Sequence, residues 1–224
     1  MVYVCDNCHF LFSHAAVPEQ CPDCGKYTVR PANEAERQEY EERLKARSAI
    51  KYRELTFDEL CPELFTNFIR HQVVTKCWRR EDGKWVIRDD PFIDDWSEAD
   101  YQTLISCLKN TIMTGGFVRA AFVNDRLKGF VSVEPSFLGG EQKYMDLSSI
   151  HVSEDLRGVG IGSELFHAAK EWAKEKGAKK LYISAHSAVE TQLFYHRLGC
   201  VEAQMYNSRH VEAEPFDCQL EYVL

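Results

Sequence analysis

The sequence predicts an α/β (α+β) protein, an antiparallel meander of strands set among helices behind a small metal-stapled N-terminal segment. Three observations carry this reading. The apolar period switches from 3.6 to 2 after Gly115-Gly116. The strands that follow are joined by a polar turn at Asn124-Asp125. Ahead of them, Cys5, Cys8, Cys21 and Cys24 form two Cys-x-x-Cys pairs in a stretch too short to hold a core unaided.

At 224 residues there is room for one full domain plus a small appendage. Apolar residues make up 45% and charged ones 28%, enough to bury a core and to exclude wholesale disorder. With 35 acidic against 27 basic side chains the net charge is −8, which disfavours an electrostatic grip on DNA or an anionic membrane and suits a cationic partner better. No apolar run approaches the roughly 18–20 residues of a membrane helix, and Met1–Phe10 carries two cysteines and no basic region, so a cytoplasmic protein is expected. Nine cysteines then read as reduced thiols or metal ligands rather than a disulfide framework.

Three regions follow from the patterning: residues 1–30 as the cysteine segment, 31–49 as a connecting helix, and 50–224 as the main domain. Asn33 and Glu36 are spaced as a capping box, Tyr40 and Leu44 share a face, and Glu39/Arg43 and Glu41/Lys45 stand at i,i+4. A strand is expected near Ile50, then a helix capped by Thr56 and Glu59 with Leu60, Leu64 and Phe68 inward. Asp82-Gly83 between Trp78 and Trp85 predicts a hairpin, and Ser97 caps a helix carrying Tyr101, Leu104, Leu108 and Ile112 on one stripe. Strands follow at 117–123, 127–133 and 144–152. In the last of these the apolar phase slips from Met145 and Leu147 to Ile150 and Val152, the trace of a β-bulge. Ile161, Leu165, Ala169, Trp172 and Ala173 mark an inward helix face ending at Gly177, and a strand covers 180–184. Ser187 and Glu190 are spaced to cap a helix to Leu198, and two strands are expected at 200–206 and 216–223.

Two Cys-x-x-Cys turns 12 residues apart supply four thiolates, the set a tetrahedral metal needs; two separate redox dithiols are the alternative. Cys21-Pro22-Asp23-Cys24-Gly25 resembles the second knuckle of rubredoxin-like zinc ribbons. His9 stands where that family's first knuckle often has Gly, and the insert between knuckles is short, so the resemblance implies structural zinc rather than redox iron at Cys5, Cys8, Cys21 and Cys24. The segment's slight negative charge does not suit a DNA-binding finger, and a protein or RNA partner stays open to it.

Arg157-Gly158-Val159-Gly160-Ile161-Gly162 lies between the bulged strand and a helix, where glycines bring backbone N–H groups close to a polyphosphate. No Lys-Ser/Thr follows, and the preceding strands form a meander, so neither a P-loop nor a dinucleotide fold is indicated. Strand, R-x-x-G-x-G, helix, strand and then Phe194-Tyr195-x-x-x-Gly199 resembles the GCN5-related N-acetyltransferase (GNAT) superfamily over residues 50–224. The resemblance implies a mixed, mostly antiparallel central sheet flanked by helices, with acetyl-CoA as cosubstrate and transfer to a primary amine of a small molecule or protein. It implies that residues 157–162 hold the CoA pyrophosphate, that Ile150, His151 and Val152 line the pantetheine arm, and that Tyr195 protonates the departing thiolate. The Asn that many members place before the last helix is Ala188 here, so that contact is either lost or passed to Ser187; the acidic residue some members carry on the bulged strand falls on Ser148.

An amine must lose a proton at or before attack, so a nearby base is required. His186 is the first candidate, then Asp146, His151 and Glu134. Trp78, Trp85, Asp94, Asp95 and Trp96 are expected near the acceptor, where aromatic faces and carboxylates would suit a cationic amine. Cys200 and Cys107 are expected to be buried, inert thiols. The competing functional reading is an acyl-CoA sensor or scaffold without chemistry, using the ribbon as a docking module.

Overall fold

The computed structural model describes residues 1–7, 9–22 and 26–224. Its N-terminal strands Val2–Cys5 (β1), Leu11–Ser13 (β2) and Val29–Pro31 (β3) form a small antiparallel sheet in the order β2-β1-β3, closed over Val4, Leu11 and Ala32. Helix Glu34–Ser48 (α1) follows. The capping box forms: Glu36 N–H donates to Asn33 Oδ1 (2.9 Å) and Asn33 N–H to Glu36 Oε2 (2.7 Å), and Arg43 pairs with Glu39 at 2.6 Å.

Strand Lys51–Glu54 (β4) opens the main domain. The Thr56 N–H and hydroxyl both donate to Glu59 Oε2 (2.9 and 2.8 Å), yet the expected α-helix does not follow; only a 3₁₀ turn, Pro62–Phe65, is present. Pro62 has no N–H to donate and its ring excludes a preceding α turn, so the chain buries Leu60, Phe65 and Phe68 from turns instead. The hairpin is longer than its sequence signal: His71–Glu81 (β5) and Lys84–Asp95 (β6) meet at Asp82 and Gly83, both at positive φ (48° and 76°). Helix Glu98–Met113 (α2) starts from the Ser97/Asp100 box. Its inward face is Ile105 and Leu108, which leaves Cys107 exposed rather than buried.

Strands Phe117–Val123 (β7) and Arg126–Val133 (β8) are joined through Asn124 and Asp125, again at positive φ. Then come Phe137–Leu138 (β9), Tyr144–Asp146 (β10), Ser149–Val152 (β11), helix Ile161–Glu175 (α3), Lys180–Ala185 (β12), helix Val189–Arg197 (α4), Val201–Glu202 (β13), helix Ser208–Ala213 (α5) and Cys218–Val223 (β14). They assemble into two half-sheets, β11-β8-β7-β4 and β13-β14-β12-β10-β9, antiparallel except for the pair β10–β12. One core gathers Ala121, Val131, Ile161, Leu165, Leu181 and Tyr195 across both half-sheets beneath α3; a second lies under α2 around Phe122 and Phe130.

Two C-terminal expectations are corrected. Ser187 and Glu190 do not form a cap, because the Ser187 hydroxyl accepts from Arg79 (2.6 Å) and α4 begins without a side-chain cap. The strand expected over 200–206 shrinks to β13, and α5, capped by Asn207, was not anticipated. Among the described residues no helix is long and apolar enough to cross a membrane.

Candidate active site

The bulge splits one strand between the two half-sheets. Residues 144–146 pair in parallel with 180–182, and Leu147 N–H still reaches Tyr182 O (2.9 Å). At the next residue Ser148 N–H donates to Ser132 O (3.1 Å), and Ser149–Val152 pair only with β8. Strand β12 meanwhile continues to Ala185 against β14, so a gap opens between β11 and the far half of β12. The phase slip read from Met145/Leu147 against Ile150/Val152 marks that parting.

At one end of the gap lies the glycine loop. Gly158 and Gly160 stand at φ +81° and +91°, where a side chain would be strained. The helix ladder starts only with Glu164 N–H to Gly160 O, so the six successive N–H groups of Gly158–Ser163 have no partner among the described residues. Six such donors at the positive end of a 15-residue helix are an arrangement suited to an anion. Gly162 brings α3 against α4: a Cβ there would lie 3.1 Å from the Phe194 ring.

The hairpin is tied to the end of β12 and the start of α4. Trp78 N–H donates to Ser187 O (2.8 Å), Arg79 holds the Ser187 hydroxyl, and Cys77 bridges to Ala188. Ser187 is therefore 3% exposed and spoken for by the hairpin, not left open to a cofactor as expected. At the hairpin's base, Arg70 pairs with Asp94 and His71 with Asp95 (2.6 Å). The expected acceptor pocket does not assemble: its carboxylates are already paired, Trp78 and Trp85 pack beside His196 on α4, and Trp96 lies apart against Tyr101 and His151. Arg70, which the sequence did not single out, stands beside His151 and Trp96. Its side chain is 9% exposed, and Nε and Nη1 have no partner among the described residues.

The base candidates separate by environment. His151 packs on Phe130 and Trp96, and burial, with the Arg70 and Arg157 cations, pushes its pKa down to about 3; it is a neutral wall of the site. Burial also lowers His186, and its Nδ1 accepts the Ala188 N–H (3.2 Å), which leaves the neutral ring's proton on Nε2. Glu134 accepts from Thr111 (2.6 Å) and Ser148 (2.9 Å), so a carboxylate just past the end of β8 reaches the bulge position where the strand itself carries Ser148. Asp146 accepts from His210 Nε2 at 2.7 Å, and that bond raises the His210 pKa. With Nε2–H on the carboxylate, the lone pair of the neutral ring is on Nδ1. His210 sits on the unanticipated α5, 64 residues from its partner, so only the Asn207 cap could have hinted at it.

Tyr195 lies on α4, 5% exposed, with its ring edge-on to Phe166 and Phe194; burial holds its phenol well above the ordinary range and hence protonated. Cys200 beside it is buried and its thiol is pushed up to about 12 by burial, an inert thiol as expected. Cys5 and Cys21 are both buried, whereas Cys8 and Cys24 lie outside the described residues.

The comparisons agree with this geometry. The acetyltransferase (GNAT) family model matches residues 80–200, more than half of the chain. The chain belongs to that family, whose members are acetyl-CoA-dependent N-acetyltransferases. An uncharacterized N-acetyltransferase of Methanocaldococcus jannaschii, MJ1207, is 27% identical over 155 residues, 66% of this chain. The match takes in 57% of that relative's length. Among solved structures, nourseothricin acetyltransferase shares the fold with a TM-score of 0.57 at 19% identity, over 77% of this chain and 96% of its own. A Bacillus anthracis str. Ames protein assigned as a streptothricin acetyltransferase, solved with acetyl coenzyme A, gives 0.56 at 17% identity, over 78% and 97%.

Proposed function

We propose that the protein transfers an acetyl group from acetyl-CoA to a primary amine of a small molecule or protein. The observation that carries this is the strand that parts from β12 at Leu147 and runs on to six unpaired N–H groups at Gly158–Ser163. When bound, acetyl-CoA supplies the activated acyl thioester. Arg157 and the amides of residues 158–162 would hold its pyrophosphate, and the β11 backbone at Ile150, His151 and Val152 would align its pantetheine arm beside the gap. The reacting carbonyl then falls near the bulge, between Asp146 and Ser149.

There His210 acts as the base in place of His186. Asp146 fixes the ring with the proton on Nε2 and stabilises the imidazolium that forms when Nδ1 takes a proton from the amine. Tyr195 donates to the departing sulfur. A coupled thiol-release assay over polyamines, aminoglycosides, amino acids and peptides tests the reaction itself; acetyl-CoA binding without turnover of any amine would move the protein to the binding class. For the base, kcat/KM is expected to rise with pH through a limb above the ordinary histidine value of about 6.5, since Asp146 raises the His210 pKa and only the neutral ring accepts a proton. His210→Gln should flatten that limb and lower kcat by about 10²-fold. An unchanged limb in that variant removes His210 from the reaction.

We propose further that residues 1–30 are a zinc ribbon with Cys5, Cys8, Cys21 and Cys24 as ligands. Cys5 N–H donates to Phe10 O (3.2 Å) and Cys21 N–H to Lys26 O (2.7 Å), so Cys5 and Cys21 are each tied to the fifth residue after them. Two buried cysteines tied in the same way fit a tetrahedral thiolate site, and the metal would stabilise a segment whose core is little more than Val4, Leu11 and Ala32. Elemental analysis is expected to find one zinc per chain, and Cys21→Ser to lose it. Full metal content in that variant overturns the assignment.

A further inference from the structure

The acetyl-transfer chemistry leaves the segment ahead of β4 without a task, yet that segment lies directly on the glycine loop. A Cβ at Gly160 would be 3.3 Å from the guanidinium carbon of Arg47 and 3.4 Å from its Nη2. A Cβ at Gly158 would be 3.0 Å from the Phe10 ring and 3.8 Å from Arg43 Nη1. The cysteine segment and the last turns of α1 thus both touch the loop that carries the unpaired amides.

The electrostatics of this contact are one-sided. Arg43 is paired with Glu39, but Arg47 has no ion pair among the described residues, although Glu164 stands in the first turn of α3. An unpaired guanidinium rests against the positive end of a helix, beside six N–H donors and near the half-buried Arg157. Cations are disfavoured at a helix N-terminus, and an anion shared between the guanidinium and the amides would balance the arrangement. The C-terminal turn of α1 would have offered Arg47 a better place on its own carbonyls.

We infer that Arg47, with Arg43 behind it, is part of the phosphate site for the acyl donor, so that α1 closes over the loop and the N-terminal segment is a component of the donor site. This rests on the reading that acetyl-CoA binds at residues 157–162. The amides supply direction and the guanidinium supplies charge. Phe10 against Gly158 fixes how α1 meets the loop.

Calorimetry on the full chain tests it with three probes: acetyl-CoA, its 3′-dephospho form, and S-acetylpantetheine, which has no phosphate. Arg47→Ala is expected to weaken acetyl-CoA binding about tenfold, as for loss of one charge-assisted contact, and Arg47→Glu to weaken it further. Arg47→Lys should retain most of the affinity. S-acetylpantetheine should not distinguish the variants, and the melting temperature should not move, since Arg47 is exposed. Persistence of the loss with the dephospho donor assigns Arg47 to the pyrophosphate, and its disappearance assigns it to the 3′-phosphate. Wild-type or tighter acetyl-CoA binding by Arg47→Ala overturns the inference. A wild-type protein that binds no acetyl-CoA instead overturns the reading of the loop.

Discussion

Tyr195→Phe is expected to lower kcat by about 10²-fold while acetyl-CoA affinity stays within about twofold. The replacement keeps the ring, which stands 5.1 Å from Phe194 and 6.4 Å from Phe166, and removes only the hydroxyl. A phenol has a reference pKa of about 10 and a thiol of about 8.5, so proton transfer to a thiolate in water would run uphill. Burial raises both groups here, the Tyr195 phenol and a thiol such as the neighbouring Cys200, so the phenol is held protonated and a sulfur departing into the same surroundings is a stronger base than in water. A buried, protonated phenol is then the donor that spares the site an unsolvated thiolate. Were the hydroxyl only a packing contact, the variant would lose melting temperature and keep kcat within about twofold, and thiolate protonation would pass to solvent.

The second large effect belongs to Gly160. Gly160→Asp is expected to weaken acetyl-CoA binding by about 10²-fold or more, read by calorimetry, because it sets a carboxylate among the N–H donors and beside the Arg47 guanidinium. The residue stands at φ +91°, so part of any change is backbone strain of roughly 1–2 kcal/mol. Gly160→Asn separates the two contributions, since it carries the same strain and shape without the charge. Asn should lower the melting temperature at least as much as Asp, whose carboxylate gains from the helix N-terminus and Arg47, and cost much less affinity. Equal acetyl-CoA affinity for wild type and Gly160→Asp would place the donor's phosphates elsewhere.

What was readable in the sequence was local. Asn33/Glu36, the Ser97 cap, Asp82-Gly83 and Asn124-Asp125 act through residues one to three apart, and each forms in the structure. The Thr56/Glu59 pair also forms, but a capping box only begins a helix, and Pro62 stops this one after a turn. The bulge was visible because a single extra residue reverses the facing of every position after it. The site's walls were not visible, because they depend on distant partners: Arg79 reaches Ser187 across 108 positions, and His210 reaches Asp146 across 64. Spacing carries no record of such pairs. The same distance explains why Asp94 and Asp95, which read as an acidic grip for a cationic substrate, turn out to be counter-ions of Arg70 and His71.

The divided strand also orders the way the molecule is made. Pairing of β7, β8 and β11 joins segments close in the chain, an antiparallel meander that closes short loops. Pairing of β10 with β12 is parallel and must wait for α3 to be laid across between them, and β14 has to return to β12 from the end of the chain. Closing longer loops is slower, so the half-sheet built on β8 is expected to be protected from hydrogen exchange earlier in refolding than the half-sheet built on β12. The gap between them is then created by the last assembly step, and a partly folded chain holds the anion loop before it holds a place for a thioester.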